Sequence, residues 1–497
     1  MLDIHNPILD TDSYKFTHPL QYPEGTEEIL CYIESRGGPT ENPGTLFFGL
    51  QLILNQLKQK ITKADVEEAK AFVDAHIGPG IFPYQDWMYV VEKYDGSIPL
   101  EIKAVPEGTF VPSHNVLVTV RSTDPRLFWM TSWFETQLLR VWYPITVSTI
   151  SNRIKEIIYK ALVKTSDDPD SQIDFKLHDF GARGVSSRES AAIGGAAHLA
   201  NFMGSDTVVG VLAANKYYGS AMTGFSIPAA EHSTITTWGK DNEAAAFRMM
   251  LERFNTPLVA VVSDSYDLDN AVQNIWGDEL KAEVIKSGKT VVVRPDSGSP
   301  IEEIVLRTVK GLADKYGYTI NNKGYKVLNN VRVIQGDGIE EATINKIIER
   351  VCIHAGFSLD NVAFGMGGAL LQQCNRDTYK FAYKASLAKV NGVYRDVSKN
   401  PKTDPGKKSK SGDLDLVYFD GEYKTIDRSS AFITPGHPSP VEELSQLQLV
   451  YRNGELFNQT TIDEVRRRVN QRIKSNVLNF GKKILLNKEG HVIGAQG

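Results

Sequence analysis

Arg294 and Asp296 stand two positions apart in VVVRPDSGSP (291–300), a planar cation and a carboxylate placed where β-branched residues run into Pro and Gly. An apolar run that meets Pro and Gly reads as a strand end. The arrangement recurs along the chain. FKL at 175 leads to His178, Asp179, Phe180, Gly181, Ala182 and Arg183, and LVAVV at 258 leads to Ser263, Asp264, Ser265, Tyr266 and Asp267. VRVIQ at 331 leads to Gly336, Asp337 and Gly338, and VAF at 362 leads to Gly365, Met366, Gly367 and Gly368. Arg183, Arg294 and Arg376 are planar donors matched to phosphate, and the glycines at 336, 338, 365, 367 and 368 let backbone N–H groups approach an anion. Asp264, Asp267, Asp296 and Asp337 can accept from sugar hydroxyls or help to hold a magnesium ion that also touches phosphates. Phe180 adds an aromatic face for a flat ring. Together these types suit a phosphorylated sugar. A single Asp-Gly pair is a turn former; the recurrence carries the inference.

Such residues act together only if one scaffold gathers them. The runs at 175, 207 (TVVGV), 258, 290, 331 and 362 alternate with helical patterns such as 302–316 and 340–356. Runs apolar on every face, alternating with helices, predict a parallel sheet covered by helices. In an α/β barrel all strand C-termini share one face, so residues distant in sequence converge there. Before this region, 64–77 has helical periodicity, 99–121 alternates as strands with a turn at Glu107 and Gly108, and 128–162 reads as helix interrupted at Pro144. Ser186 and Glu189 in SSRE read as a capping box, and 461–473 as a capped surface helix. SGKT (287–290) precedes a strand and has Glu283 where a P-loop has its first glycine, and FGMGGALL has Leu370 where a dinucleotide fingerprint has its third. Neither nucleotide motif is supported.

The length of 497 residues predicts two domains. The net charge of −5 gives no general attraction to nucleic acid or to anionic membranes, so any bound anion must be held by local charge. No stretch has the length of a membrane span. Cys31, Cys352 and Cys374 are too few for a disulfide framework, which suits a reducing, cytoplasmic location.

DTDSYKFTH (10–18), HDFGARGVSS (178–187), SIPAAEHSTITTWGKD (226–241), SDSYD (263–267), RPDSG (294–298), VIQGDG (333–338) and FGMGGALLQQCNRD (364–377) together resemble the nicotinamide phosphoribosyltransferases of the type II phosphoribosyltransferase family. The resemblance runs in order over nearly the whole chain. It implies an irregular α/β barrel (151–384) joined to a smaller α+β domain made from 1–150 and 385–497. It also implies transfer of phosphoribosyl from 5-phosphoribosyl 1-pyrophosphate to nicotinamide, with Mg2+, in NAD salvage. The implied assembly is a homodimer whose active sites are shared across the interface.

Carried onto this chain, the resemblance assigns the pyridine ring to Phe180 and to Tyr14 of the other subunit, and the carboxamide to Asp206. Arg183 and Arg294 fall at the base and ribose phosphate, and Asp296 at the ribose hydroxyls. Asp337, Gly367 and Gly368 fall at the 5-phosphate, with Asp12, Ser226, Ser263, Asp267 and Gly336 also among substrate contacts. Arg36, Arg376, Lys384, Lys399 and Lys407 are the implied phosphate and pyrophosphate ligands. His232 is the implied site of phosphorylation by ATP. The magnesium ligands stay open. In the glycine-rich loop this chain has Ala369 where vertebrate members show a third glycine. Asp206 precedes its apolar run, whereas the barrel rule expects site residues after a strand. Two other readings stand beside this one: a nicotinate phosphoribosyltransferase, and a non-catalytic protein keeping the fold.

Overall fold

A computed structural model describes residues 5–41, 43–400, 408–429 and 441–488. Contacts divide the chain into one unit of 1–149, 216–219 and 374–465, and another of 150–215, 220–373 and 466–497. Residues 374–384, expected in the barrel, therefore group with the first unit. The reason is the strand Phe381–Val390, which pairs along Thr26–Ser35 through much of its length. The C-terminal residues from 466 group with the second unit, where Arg466 donates to the carbonyls of Leu199 and Phe202.

In the first unit, a seven-stranded sheet runs in the order Val393–Asp396, Phe381–Val390, Thr26–Ser35, Val116–Ser122, Leu100–Ala104, Gln448–Arg452 and Glu455–Leu456. Its pairings are antiparallel, and Leu100–Ala104 alternates buried and half-buried as a one-sided strand does. The sheet packs on a core built around the buried rings of Trp87, Trp129 and Trp133. The helix Lys63–His76 starts at a reciprocal Thr62–Asp65 capping box. The expected turn at Gly108 is present, with φ +89. Glu107 is more than a turn residue. Its buried carboxylate accepts from the N–H groups of Gly49 (3.0 Å) and Gln51 (2.8 Å), closing the start of the helix Leu50–Gln56. Pro144 does not interrupt a helix, because it lies in the first turn of Trp142–Thr165, where its missing N–H costs nothing.

The second unit holds a six-stranded parallel sheet, ordered Gly204–Ser205, Leu177–Asp179, Val362–Met366, Val331–Gln335, Thr290–Arg294, Leu258–Val262. Its two edges are bridged by one segment: Phe225 pairs with Gly204, and Ala229 pairs with Ala260. Hydrogen bonds Ser205 N–H to Phe225 O (3.0 Å) and Ala260 N–H to Pro228 O (2.9 Å) tie that segment to both edges of the curled parallel sheet, an irregular barrel. Helices including Ile301–Tyr316 cover it, with Val305, Val309 and Leu312 buried. The helix after the Phe180 turn is capped by Ser187, whose Oγ accepts from Ser190 N–H, and not by Ser186.

One expected strand is absent. TVVGV lies mainly in the helix Val208–Tyr217, and the barrel strand is the two-residue Gly204–Ser205 before it. A short apolar run does not by itself separate strand from helix, and here the helix leaves Val208 exposed and buries Gly210 and Ala214. The correction also places Asp206 just past a strand end, where the barrel rule wants it.

Candidate active site

Parallel pairing brings the strand ends Asp179, Ser205, Val262, Arg294, Gln335 and Met366 to one mouth of the barrel. The Phe180 backbone is fixed there by its N–H donating to Met366 O (2.9 Å), and the following turn by Gly181 N–H donating to the buried Asp179 carboxylate (2.7 Å). Burial pushes the Asp179 carboxyl up to about 6 against that hydrogen bond. The Phe180 ring packs on Ala260, Val292 and Ile334 inside the sheet. It lies so close to two strand ends that a Cβ on Gly365 would stand 1.9 Å from its Cε2, and one on Gly336 3.2 Å from the same atom. These two glycines make room for the aromatic ring; room for an anion was the expected reason. The same Gly336 point lies 3.3 Å from Asp296 Oδ1. Phe180, Gly336 and Asp296 thus meet.

Arg294 Nη2 donates to Asp296 Oδ2 at 2.9 Å, and Arg294 Nε is buried without a partner. A buried guanidinium N–H left unpaired is a place for a further acceptor. Across the mouth, Ser226 Oγ donates to Asp206 Oδ1 (2.5 Å), and the Asp206 N–H donates to Asp179 O (2.9 Å). Asp206 is exposed and therefore open to a ligand.

A second group surrounds His232, the first residue of the helix His232–Thr236. Its Nε2 lies 3.0 Å from Asp264 Oδ1, and Ser297 Oγ donates to Asp264 Oδ2 at 2.5 Å. The Asp264 side chain is 4% exposed and that of His232 46%, so the carboxylate is fixed while the ring faces solvent. A carboxylate accepting from Nε2–H sets the tautomer with a free lone pair on Nδ1.

Other expected residues sit differently. Ser263 is fully buried, donating from Oγ to Val261 O and accepting from Trp276 Nε1, so it anchors the strand and presents no hydroxyl to a substrate. Asp267 caps the turn Leu268–Asn270 through Asn270 N–H (3.0 Å). Arg183 and Asp337 are exposed. Gly367 precedes the short helix Gly368–Leu371, and Gly368 has open space where a side chain would be.

In the first unit, Arg36, Arg376, Lys384 and Lys399 line one cavity of about 780 Å³ with His114, Glu135, Asp377 and Lys380. Five Arg or Lys side chains against two carboxylates give it a cationic lining. Arg36 is oriented by Nε donating to the buried Glu34 (2.6 Å), while its Nη2 is buried and unpaired. Burial, with Arg36, Lys15 and Arg376 nearby, pulls the Lys384 ammonium below its ordinary value despite Glu135. A dianion there would relieve that repulsion. Asp12 accepts from Thr136 Oγ1 (2.6 Å), and Tyr14 is 59% exposed with its ring against His18. Lys407 lies outside the described residues.

Sequence reasoning passed over Glu34, His114 and Lys380. The last two take left-handed backbone conformations (φ +66 and +52) that no sequence pattern announces. Among the described residues no three His, Cys, Asp or Glu side chains group to hold a metal. The carboxylates named for magnesium form no cage, which fits an ion that arrives on phosphate oxygens.

A family model described as the nicotinate phosphoribosyltransferase (NAPRTase) family matches residues 175–454, and one described as the nicotinamide phosphoribosyltransferase N-terminal domain matches 6–102. The nicotinamide phosphoribosyltransferase of Xanthomonas campestris pv. campestris (strain 8004) is 50% identical over 468 residues, covering 93% of this chain and 98% of its own. That of Acinetobacter baylyi is 32% identical, covering 95% and 98%. Two crystal structures share the fold. A Pyrococcus furiosus nicotinate-nucleotide pyrophosphorylase matches with TM-score 0.60 and 17% identity, over 93% of this chain and 94% of its own. Human nicotinic acid phosphoribosyltransferase matches with TM-score 0.55 and 16% identity, over 93% of each.

Proposed function

The chain belongs to the nicotinate phosphoribosyltransferase (NAPRTase) family of enzymes, among its nicotinamide phosphoribosyltransferase relatives, and on that premise we propose that it makes nicotinamide mononucleotide for NAD biosynthesis. The observation that supports this most is the meeting of Phe180, Gly336 and Asp296 beside Arg294 at the barrel mouth. An aromatic floor takes the pyridine, and a carboxylate and a guanidinium take the ribose and its phosphate.

The nitrogen of nicotinamide attacks C1 of the ribose as the C1–O bond to pyrophosphate breaks and its electrons leave with that group. C1 becomes oxocarbenium-like on the way, so holding the leaving anion and aligning the nitrogen supply most of the rate. No general base is needed, because the nitrogen already carries a lone pair. Asp296 binds the ribose hydroxyls, and Arg294 Nε finds its acceptor on the phosphate. Asp206, steadied by Ser226, accepts from the carboxamide NH2; a nicotinate carboxylate would meet it as a like charge. Arg36, Arg376, Lys384 and Lys399, which line the cavity of the first unit, are the side chains suited to phosphate or pyrophosphate. Magnesium neutralises the same oxygens when bound. Tyr14, solvent-exposed here, stacks on the pyridine of the partner subunit's site in a cytoplasmic homodimer.

His232 is the nucleophile toward ATP in this reading. Its Nδ1 lone pair forms a bond to the γ-phosphorus, the bond to ADP breaks, and Asp264 balances the ring cation. The test is mononucleotide formation from nicotinamide with and without ATP, in the native protein and in His232→Ala. Stimulation by ATP confined to the native protein is expected. Equal stimulation in the variant would overturn the role of His232, and no product under any condition would overturn the activity.

A further inference from the structure

Residues 36–38 and 376–381 of the first unit are knit together through their backbones. The Arg36 N–H donates to the carbonyls of Tyr379 and Lys380 (3.2 Å each), and Ser35 Oγ donates to Tyr379 O at 2.8 Å. Two glycines let the segments close. A Cβ on Gly38 would stand 2.9 Å from the buried Tyr379 ring, and one on Gly37 3.2 Å from Lys380 Cδ, 3.7 Å from Cε and 3.8 Å from Nζ. The stem of Lys380 therefore runs over Gly37, and its side chain lines the cavity that Arg36, Arg376, Lys384 and Lys399 also line.

Lys380 holds this place at a conformational cost. Among the described residues other than glycine, a positive φ falls on Asn, on Asp, on His114 and on Lys380 (+52). Asn, Asp and His tolerate the left-handed region, whereas lysine has no such compensation. Asn or Gly would make the same turn with less strain. What lysine brings is a long stem and a charged head, and among the described residues that head has no hydrogen bond or ion pair. The acidic residues of the lining are engaged elsewhere, Asp377 with Arg376 (3.3 Å) and Glu135 with Lys15. Strain kept at a residue whose side chain is free points to a ligand. A second group in the cavity also lacks a partner, since Arg36 Nη2 is buried and unpaired.

We propose that Lys380 is a further phosphate ligand: its ammonium donates to an oxyanion of the sugar pyrophosphate in the cavity of the first unit, and Gly37 keeps open the path of its stem. The inference rests on the reading of the chain as a phosphoribosyltransferase. An ammonium is a compact charge with three rotatable donors, so it can follow phosphate oxygens as pyrophosphate leaves. The oxyanion belongs to the pyrophosphate or to the 5-phosphate, which titration with each alone separates.

The experiment titrates inorganic pyrophosphate with magnesium, and separately ribose 5-phosphate, into the native protein, Lys380→Met, Lys380→Arg and Lys380→Asn by calorimetry, and measures kcat and KM for both substrates. Lys380→Met keeps the stem and the strained turn but loses the charge. Affinity for at least one anion is expected to fall by about tenfold, with KM for 5-phosphoribosyl 1-pyrophosphate rising to match and KM for nicotinamide unchanged. The anion that weakens more identifies the oxyanion. Lys380→Arg recovers most of the loss. Lys380→Asn loses the same affinity yet melts at the same or a higher temperature, because it relieves the left-handed strain; a lower melting temperature would make the lysine structural and overturn the proposal. Gly37→Ala weakens binding in the native background and not in Lys380→Met, and equal loss in both contradicts the role of Gly37. Unchanged affinity for both anions in Lys380→Met overturns the role of Lys380, and mononucleotide made by the native protein would leave the enzyme reading standing. Pyrophosphate binding that depends on Lys380 in a native protein without turnover would remove the enzyme reading and keep the ligand. A native protein that binds neither anion would overturn the proposal.

Discussion

The ring of Phe180 occupies the space that a side chain on Gly365 would need, with only 1.9 Å between Cε2 and the position of a Cβ there. The glycine at the end of the strand Val362–Met366 is thus a condition for the aromatic floor. Gly365→Ala must drive the ring off the sheet. The expected result is a folded protein whose KM for nicotinamide rises by about tenfold, the worth of one lost stacking face. Steady-state kinetics with nicotinamide varied would show it, and an unchanged KM would separate Phe180 from the base.

Asp264 holds Nε2 of His232 at 3.0 Å, which fixes the proton on that nitrogen. Asp264→Asn offers an amide that can donate to Nε2 and so selects the opposite tautomer. Phosphorylation by ATP is expected to drop by roughly a hundredfold or more. The ATP-independent reaction should change far less, because the ring at 232 takes no part in attack on C1.

Asp206, with Ser226 donating to it, is expected to set the choice of base. Asp206→Asn removes the like charge that a nicotinate carboxylate would face. The ratio of nicotinamide to nicotinate turnover is expected to fall by roughly 10- to 100-fold. Ser226→Ala should lower it less, since only the steadying hydrogen bond is lost.

Arg36 is held by Glu34 with Nη2 unpaired in the cationic cavity. Arg36→Lys keeps the charge but cannot hold Glu34 and present a second donor at once. Both Arg36→Lys and Arg36→Ala should weaken pyrophosphate binding by about tenfold or more, read as product inhibition. Rescue by lysine would show that charge alone matters.

Asp124 gives a stability prediction with a definite sign. Burial works against its ionised form, but hydrogen bonds from Lys93, Tyr94, the Arg126 N–H and Tyr89 prevail and lower the carboxyl to about 2. Its folded value lies below the unfolded one, so its contribution is present above about pH 4 and fades as pH falls toward 2. The amount is about 2 kcal/mol. Asp124→Asn should unfold more easily at neutral pH and differ little from the native protein near pH 2, as acid and denaturant titrations would show.

Five barrel strands were legible because each apolar run, from the three residues of FKL and VAF to the five of LVAVV, led into Pro, Gly or polar residues. The sixth was not: Gly204–Ser205 has two residues and no apolar signature, and the neighbouring Val-rich run drew attention to what is a helix. That same misplacement made Asp206 look out of register. The polar strand ends could be named from the sequence, but their pairings could not. That Ser263 spends its hydroxyl on Val261 and Trp276, or that Glu34 pairs with Arg36 two positions on, depends on side-chain directions that residue types alone do not set. The tie of 225–229 to both sheet edges left no pattern, since single bridges at Phe225 and Ala229 form no strand.

The claim on which the account depends is that the barrel mouth accepts a neutral pyridine amide. It is tested by supplying purified protein with 5-phosphoribosyl 1-pyrophosphate and magnesium, and measuring mononucleotide formed from nicotinamide and from nicotinate side by side. The prediction is efficient product from nicotinamide and little from nicotinate. A preference for nicotinate would contradict it.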